Sequence, residues 1–146
     1  FMKKMEERKT EQELYEKYKK LSGRFSDFKG YVAEEFVRFL MKSFDDRKVD
    51  GKYFHTDETV FLPRFRSVYK NNLQNDKLSI EIDIYGWSGN IEWYSDSKYQ
   101  KKKVGLSYVK DFHSSVLHFI DRYKKEGIER EHHIWLFSRS GFTKDA

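Results

Sequence analysis

Four side chains have the types and spacing for phosphodiester chemistry. Asp83 sits in "EIDIY", Asp96 and Lys98 follow in "YSDSKY", and Glu34 lies upstream in "VAEEF". Two carboxylates held side by side attract a hard cation such as Mg²⁺ or Mn²⁺, which prefers carboxylate oxygens and keeps waters for a substrate phosphate. A metal held this way lowers the pKa of a bound water and clamps the scissile phosphate. A neighbouring ammonium orients that water or offsets charge building on the phosphate. The pattern assigns Asp83 and Asp96 as metal ligands, Lys98 as the charge partner, and the backbone carbonyl of Ser97 as a further ligand. Glu34 or Glu35 can add a third carboxylate. Around a helix whose apolar stripe centres near Leu40, Glu34 takes the shoulder and Glu35 the far side, so Glu34 is preferred. The alternative is a pair of solvated helix carboxylates.

The acid–x–Lys pattern alone carries little, since it also starts at Glu7, Asp27, Asp46 and Asp50. Only the Asp96 copy falls on an expected strand, across a hairpin from another strand acid. Residues two apart on a strand share a face. Glu81 therefore joins Asp83, and Asp96 joins Lys98. The competing interpretation is an amphipathic hairpin with a charged outer face, common in antiparallel sheets.

The elements that must position these groups follow from periodicity. Leu14, Tyr18 and Leu21 predict a weakly amphipathic helix over about 10–20, within a charged lead-in at 1–21. Ser22–Gly23 and Lys29–Gly30 punctuate the chain before "YVAEEFVRFLMKSF", a helix with a stripe at Ala33, Phe36, Val37, Leu40 and Phe44. "DDRKVDGK" reads as a polar connection. "TVFLPRFRSVYK" reads as extended, with Pro63 marking an edge or break. "LSIEIDIY" and "IEWYSDSKY" alternate as strands, joined by the five-residue turn "GWSGN". A second helix is expected over 107–125, its stripe running through Val109, Phe112, Val116, Phe119, Ile120 and Tyr123. "HIWLF" ends the series as a strand. The order predicts one α/β domain over 22–146, with a mixed central sheet flanked by helices.

Composition sets the bounds. The 146 residues suffice for one domain with a core, and 18% of them are aromatic. Charged residues make up 36%, a balance often seen in thermophile proteins. Cysteine is absent, which excludes disulfides and thiolate metal sites and fits a reducing cytoplasm. No apolar run reaches a membrane span, and no signal peptide is visible. The net charge of +5 permits a polyanionic partner. Lys101, Lys102 and Lys103, with Lys98 and Lys110, make a basic patch beside the candidate site, and Arg64, Arg66 and Lys70 extend it. A solvated loop explains the same lysines. His113 and His118 are five apart on a helix, a poor metal spacing. His132 and His133 point to opposite faces of a strand. Tyr85, Trp87, Trp93 and Tyr94 suit base stacking or packing. The chain starts at Phe1 and ends in "GFTKDA", as a fragment would.

These motifs resemble the PD-(D/E)xK nuclease superfamily, whose core runs helix, three strands, helix, strand. "GYVAEEF" resembles the helix that carries its Glu, "EIDIYG" the strand with its Asp, and "SDSKYQKKKVG" its (D/E)xK strand. More narrowly, "LPRFRSVYK", "EIDIYG", "KYQKKKVG" and "HIWLFSRSGFTKDA" resemble the C-terminal domain of archaeal P-loop ATPases over about residues 24–146. The resemblance implies a restriction-endonuclease-like fold and a site of Glu34, Asp83, Asp96 and Lys98. It further implies Mg²⁺ (or Mn²⁺), DNA as partner, and an ATPase core elsewhere in a longer chain, since no GxxxxGK[ST] loop occurs here. The family usually has Glu where this chain has Asp96, and "WYS" is less aliphatic than its run. A catalytically inactive nuclease-fold module, binding DNA or protein, is the alternative the same resemblance implies.

Overall fold

The computed structural model describes residues 2–70, 82–123 and 127–146. The described residues form a mixed α/β structure of two α-helices and six strands. In chain order these are α1 (Met2–Lys42), β1 (Arg47–Val49), β2 (Val60–Leu62), β3 (Ser67–Lys70), β4 (Ile84–Ser88), β5 (Ile91–Lys98), α2 (Leu106–Tyr123) and β6 (Glu131–Ser138). The chain divides into two compact units, Phe1–Val32 and Ala33–Ala146. The first consists of the greater part of α1. The second holds every strand and α2.

The expected break before Ala33 is not formed, because α1 runs unbroken through Gly23 and Gly30. A glycine inside a helix costs only about 1 kcal/mol, too little to stop a helix this long. Within the second unit, the buried ridge of α1 is Ala33, Val37 and Met41, continued by Phe44. Phe36, expected in that stripe, is exposed and lies edge-on to Phe137, at 6.3 Å between ring centroids. One sheet face accepts a narrow i, i+4, i+8 ridge rather than a broad one.

The central sheet has the order β3-β4-β5-β6. The β3–β4 and β4–β5 pairs are antiparallel, and β5–β6 is parallel, reached through α2. A parallel pair needs such a crossover, usually a helix. Pro63 divides "TVFLPRFRSVYK" between two sheets. Its first half, β2, pairs with β1, a strand in the stretch expected to be a polar connection.

The hairpin turn is shorter than expected. Gly86, Trp87 and Ser88 belong to β4, and only Gly89 and Asn90 make the turn, with Gly89 at φ 57°. Glycine takes that left-handed conformation without penalty. Gly86 has a packing role instead. A Cβ there would lie 2.9 Å from Met41 Cε and 3.1 Å from Phe65 Cδ1.

The turn length decides which residues face each other. A five-residue turn would set Tyr85 opposite Ile91. The observed register sets Ile84 opposite Ser95 and Tyr85 opposite Tyr94. A slip by an odd number of residues flips every side chain to the other face. In the observed register, one step beyond β4, Asp83 stands opposite Asp96.

Helices cover both faces of β5. On one, Val37, Met41 and Phe44 pack with Ile84, Val68, Leu62 and Trp93. Trp93 is the hub of an aromatic cluster, with Phe44 at 5.5 Å, Phe54 and Phe65 at 6.0 Å and Trp135 at 6.2 Å. On the other, Phe112 and Val116 of α2 pack with Ile82 and Tyr94. Residues 92–97 are consequently all buried, carboxylates included.

Candidate functional site

β5 presents Glu92, Tyr94 and Asp96 to the α2 side, by simple alternation. An acid at such a position must find partners or stay protonated. Asp96 is 2% exposed. Its Oδ1 accepts the Ser97 backbone N–H at 2.7 Å, and its Oδ2 accepts the Tyr108 hydroxyl from α2. Lys98 Nζ lies 3.4 Å from the same Oδ2 and 4.7 Å from the centroid of the Tyr108 ring. Asp83 is hydrogen-bonded to Asp96 side chain to side chain, from the neighbouring strand end.

This opposition is electrostatically costly. Burial, the hydrogen bond with Asp96 and the charges of Asp96 and Glu34 push the Asp83 carboxyl up to about 9, only partly offset by Lys98. At neutral pH the pair therefore holds a proton between its oxygens. A like-charged carboxylate pair behaves so whenever no cation separates the charges. The charged-outer-face alternative does not describe Asp96, which is enclosed.

The remaining expected residues are placed as follows. Glu34 is close enough for its charge to act on Asp83, and it is bridged by Lys70 Nζ at 3.2 Å. Glu35 is engaged by Lys70 at 3.0 Å and by Arg38 at 3.4 Å. Of the two, Glu34 is the one whose charge acts on Asp83. Ser97 contributes its N–H to Asp96, while its buried hydroxyl has no hydrogen-bond partner among the described residues. Lys101, Lys102 and Lys103 are exposed and follow directly from the Lys98 end of β5. Val104 behind them is buried and bridged to Phe142, which anchors the basic loop on the C-terminal segment. Arg64 and Arg66 lie elsewhere. The Arg66 N–H bonds the Trp87 carbonyl at 2.8 Å, at the far end of β4 from Asp83. Glu81 lies outside the described residues. His113 and His118 are exposed on α2.

A second polar cluster was not foreseen. Glu92, 4% exposed, takes the Tyr85 hydroxyl at 2.6 Å, the Tyr94 hydroxyl at 2.9 Å, His132 Nδ1 at 3.1 Å and the Arg130 guanidinium. Burial raises its pKa, but the two hydroxyls and Arg130 outweigh burial and hold it below the ordinary range. Tyr94 is correspondingly pushed up, by burial first and by the bond to Glu92 second. Tyr85 and Tyr94 are thus spoken for in the interior rather than presented to bases. His133 points the other way, onto Trp93, with centroids 5.3 Å apart.

As donors for a cation, Asp83 and Asp96 supply two adjacent carboxyl groups. No group of three or more His, Cys, Asp or Glu able to hold a metal forms among the described residues. Mg²⁺ is commonly bound by one or two carboxylates with waters and substrate oxygens completing its shell, so the pair fits that ion. Likewise, no helix among the described residues is long and apolar enough to cross a membrane. Comparison of the chain with known protein families, with curated proteins and with solved structures found no match.

Proposed function

We propose that the chain is a metal-dependent nuclease-like domain of the PD-(D/E)xK type, hydrolysing DNA phosphodiesters. We take it as the C-terminal part of an ATPase whose P-loop core lies elsewhere in a longer protein. One observation carries this reading: the carboxyl groups of Asp96 on β5 and Asp83 one step before β4 are pressed together in a largely buried site, with a lysine 3.4 Å from one of them. Strongly perturbed acids with a specific charge partner mark functional sites more often than structural ones.

Asp83 and Asp96 would hold Mg²⁺ (or Mn²⁺), and the bound ion would supply an activated water and a clamp on the phosphate. The chain's own groups do the rest. The Ser97 N–H and Tyr108 hydroxyl fix the Asp96 carboxylate in one orientation. Lys98, held between Asp96 and the Tyr108 ring, places its ammonium where charge builds on a phosphate. Lys70 restrains Glu34 behind the pair. Lys101, Lys102 and Lys103 lead away from the site along the path a DNA backbone would take. Metal binding would displace the shared proton, so affinity rises with pH.

The test is cleavage of single-stranded, duplex and branched DNA with Mg²⁺ or Mn²⁺, beside calorimetric Mn²⁺ titration. Wild type should cleave, and Asp83→Asn and Lys98→Ala should not. No cleavage together with no Mn²⁺ binding would overturn the reading. A second reading, an inactive module of the same architecture for DNA or protein binding, draws on the Tyr108 hydroxyl already occupying Asp96. It predicts salt-dependent DNA binding without Mn²⁺ uptake.

A further inference from the structure

The first unit carries a surface with nothing to do with the aspartate site. Leu14, Tyr18, Leu21, Phe25, Phe28 and Val32 recur along α1 with alternating steps of four and three residues. Each is 47% exposed or more. A 3.5-residue repeat keeps one seam on one side of a helix and is the signature of coiled-coil pairing. Residues 2–32 form only helix, so no other described element of that unit covers the seam. A helix holding Gly23 and Gly30 gains most of its stability from burying such a face.

We infer that this seam pairs with the same seam of a second copy of the chain, in antiparallel orientation. The flanking residues select the occupant and its direction. Beside the seam lie Lys17, Arg24 and Tyr31 on one flank, and Tyr15, Ser22 and Lys29 on the other. Parallel pairing sets Arg24 against Lys29 of the second copy, twice per dimer. Antiparallel pairing about residue 23 sets Leu14 on Val32, Tyr18 on Phe28 and Leu21 on Phe25. It also sets Tyr15 beside Lys29 and Lys17 beside Tyr31. Lysine over an aromatic face is attractive, especially once desolvated. One like-charge contact remains, Arg24 with Arg24 on the axis. Within one copy, Lys29 Nζ already lies 4.2 Å from the Phe25 ring centroid, so the cation is in place along the seam.

The test is mass measurement by light scattering across the micromolar range, on the whole chain. Wild type should pass from monomer to dimer, and Leu21→Glu or Phe25→Glu should remain monomeric with the unfolding midpoint of the second unit unchanged. Orientation follows from Arg24→Glu. In the antiparallel dimer it mixes with wild type to favour the heterodimer, while its own dimer is no tighter. The chain has no cysteine, so single labels are readily placed. Labels at Glu13→Cys should lie roughly 20 Å further apart than labels at Lys20→Cys, from the 1.5 Å rise per residue. Equal distances, or a tighter Arg24→Glu dimer, would show parallel pairing and overturn the inference. So would a chain that stays monomeric while binding a synthetic amphipathic helix with glutamates flanking its seam.

Discussion

Asp83→Asn isolates the cost of the carboxylate pair. The unfolded Asp83 ionises near its ordinary 3.8, and the folded one near 9. Between these values the folded state holds a proton that the unfolded state has released. Stability must therefore fall as pH rises from about 4 to about 9, and level off above. At pH 7 the gap of about three units sets an upper bound of roughly 4 kcal/mol. Asp83 is only half-buried, and solvent screening cuts that to about 1–2 kcal/mol. Asparagine has nearly the same shape, cannot ionise, and can donate its amide N–H to Asp96. In EDTA at pH 7 the variant should be more stable than wild type by about 1–2 kcal/mol, or about 3–8 °C in Tm for a chain of this size. The gain should shrink toward pH 4 and grow toward pH 9. Urea unfolding at pH 5, 7 and 9 reads all three. Saturating Mn²⁺ should then reverse the order, stabilising wild type by about 2.7 kcal/mol at a hundredfold excess over Kd and leaving the variant unmoved. A variant less stable than wild type at every pH, or a difference that ignores pH, would refute the reasoning. Asp83 would then be an ordinary structural partner of Asp96.

Five further outcomes follow from the geometry. Tyr108→Phe removes a hydroxyl from a buried carboxylate and should destabilise by about 1.5–3 kcal/mol in urea titration. Glu92→Ala removes the carboxylate shared by Arg130, His132 and the Tyr85 and Tyr94 hydroxyls and should cost about 3–5 kcal/mol by the same measurement. Because the Glu92 pKa is lowered on folding, its contribution is present above the ordinary glutamate value and is lost as pH falls through the lowered one, so Glu92→Gln should flatten acid unfolding followed by circular dichroism. Gly86→Ala drives a methyl against Met41 and the Phe65 ring and should cost about 1–3 kcal/mol, partly recovered by shortening Met41. Replacing Lys101, Lys102 and Lys103 with Ala should weaken DNA binding and lower the slope of log K against log salt by up to about 2.7.

How far the sequence could be read depended on the range of the interaction. Local alternation was enough to place Ile84 and Trp93 inside, and the 3.6 period was enough for α2 through Phe112 and Val116. Helix, strands, helix, strand around a mixed sheet followed from the order of those patterns; which pair is parallel did not. The turn did not. Gly86 looks like a turn residue, but its missing Cβ serves the close approach of Met41 and Phe65, which no local signal announces. β1 was missed because three residues, two of them charged, carry no apolar alternation. Glu92 drew no notice because Arg130, its guanidinium partner, is 38 positions away. Its one local hint was a glutamate between Ile91 and Trp93 in a strand buried on both faces.

The two ends of β5 make the functional argument sharper than the aspartate pair does alone. Glu92 and Asp96 sit on one face of one strand, enclosed to nearly the same degree, with Tyr94 between them. The fold surrounds Glu92 with two hydroxyls, an imidazole and a guanidinium, and its pKa falls. At Asp96 the same fold instead brings up a second carboxyl group, and the Asp83 pKa rises. This chain is therefore able to satisfy a buried acid with its own donors, and at Asp83 it does not. Environments that push the pKa values of Glu92 and Asp83 in opposite directions separate a structural role from a chemical one. A divalent cation between Asp83 and Asp96 would relieve the conflict that the protein's own side chains leave standing at this pair.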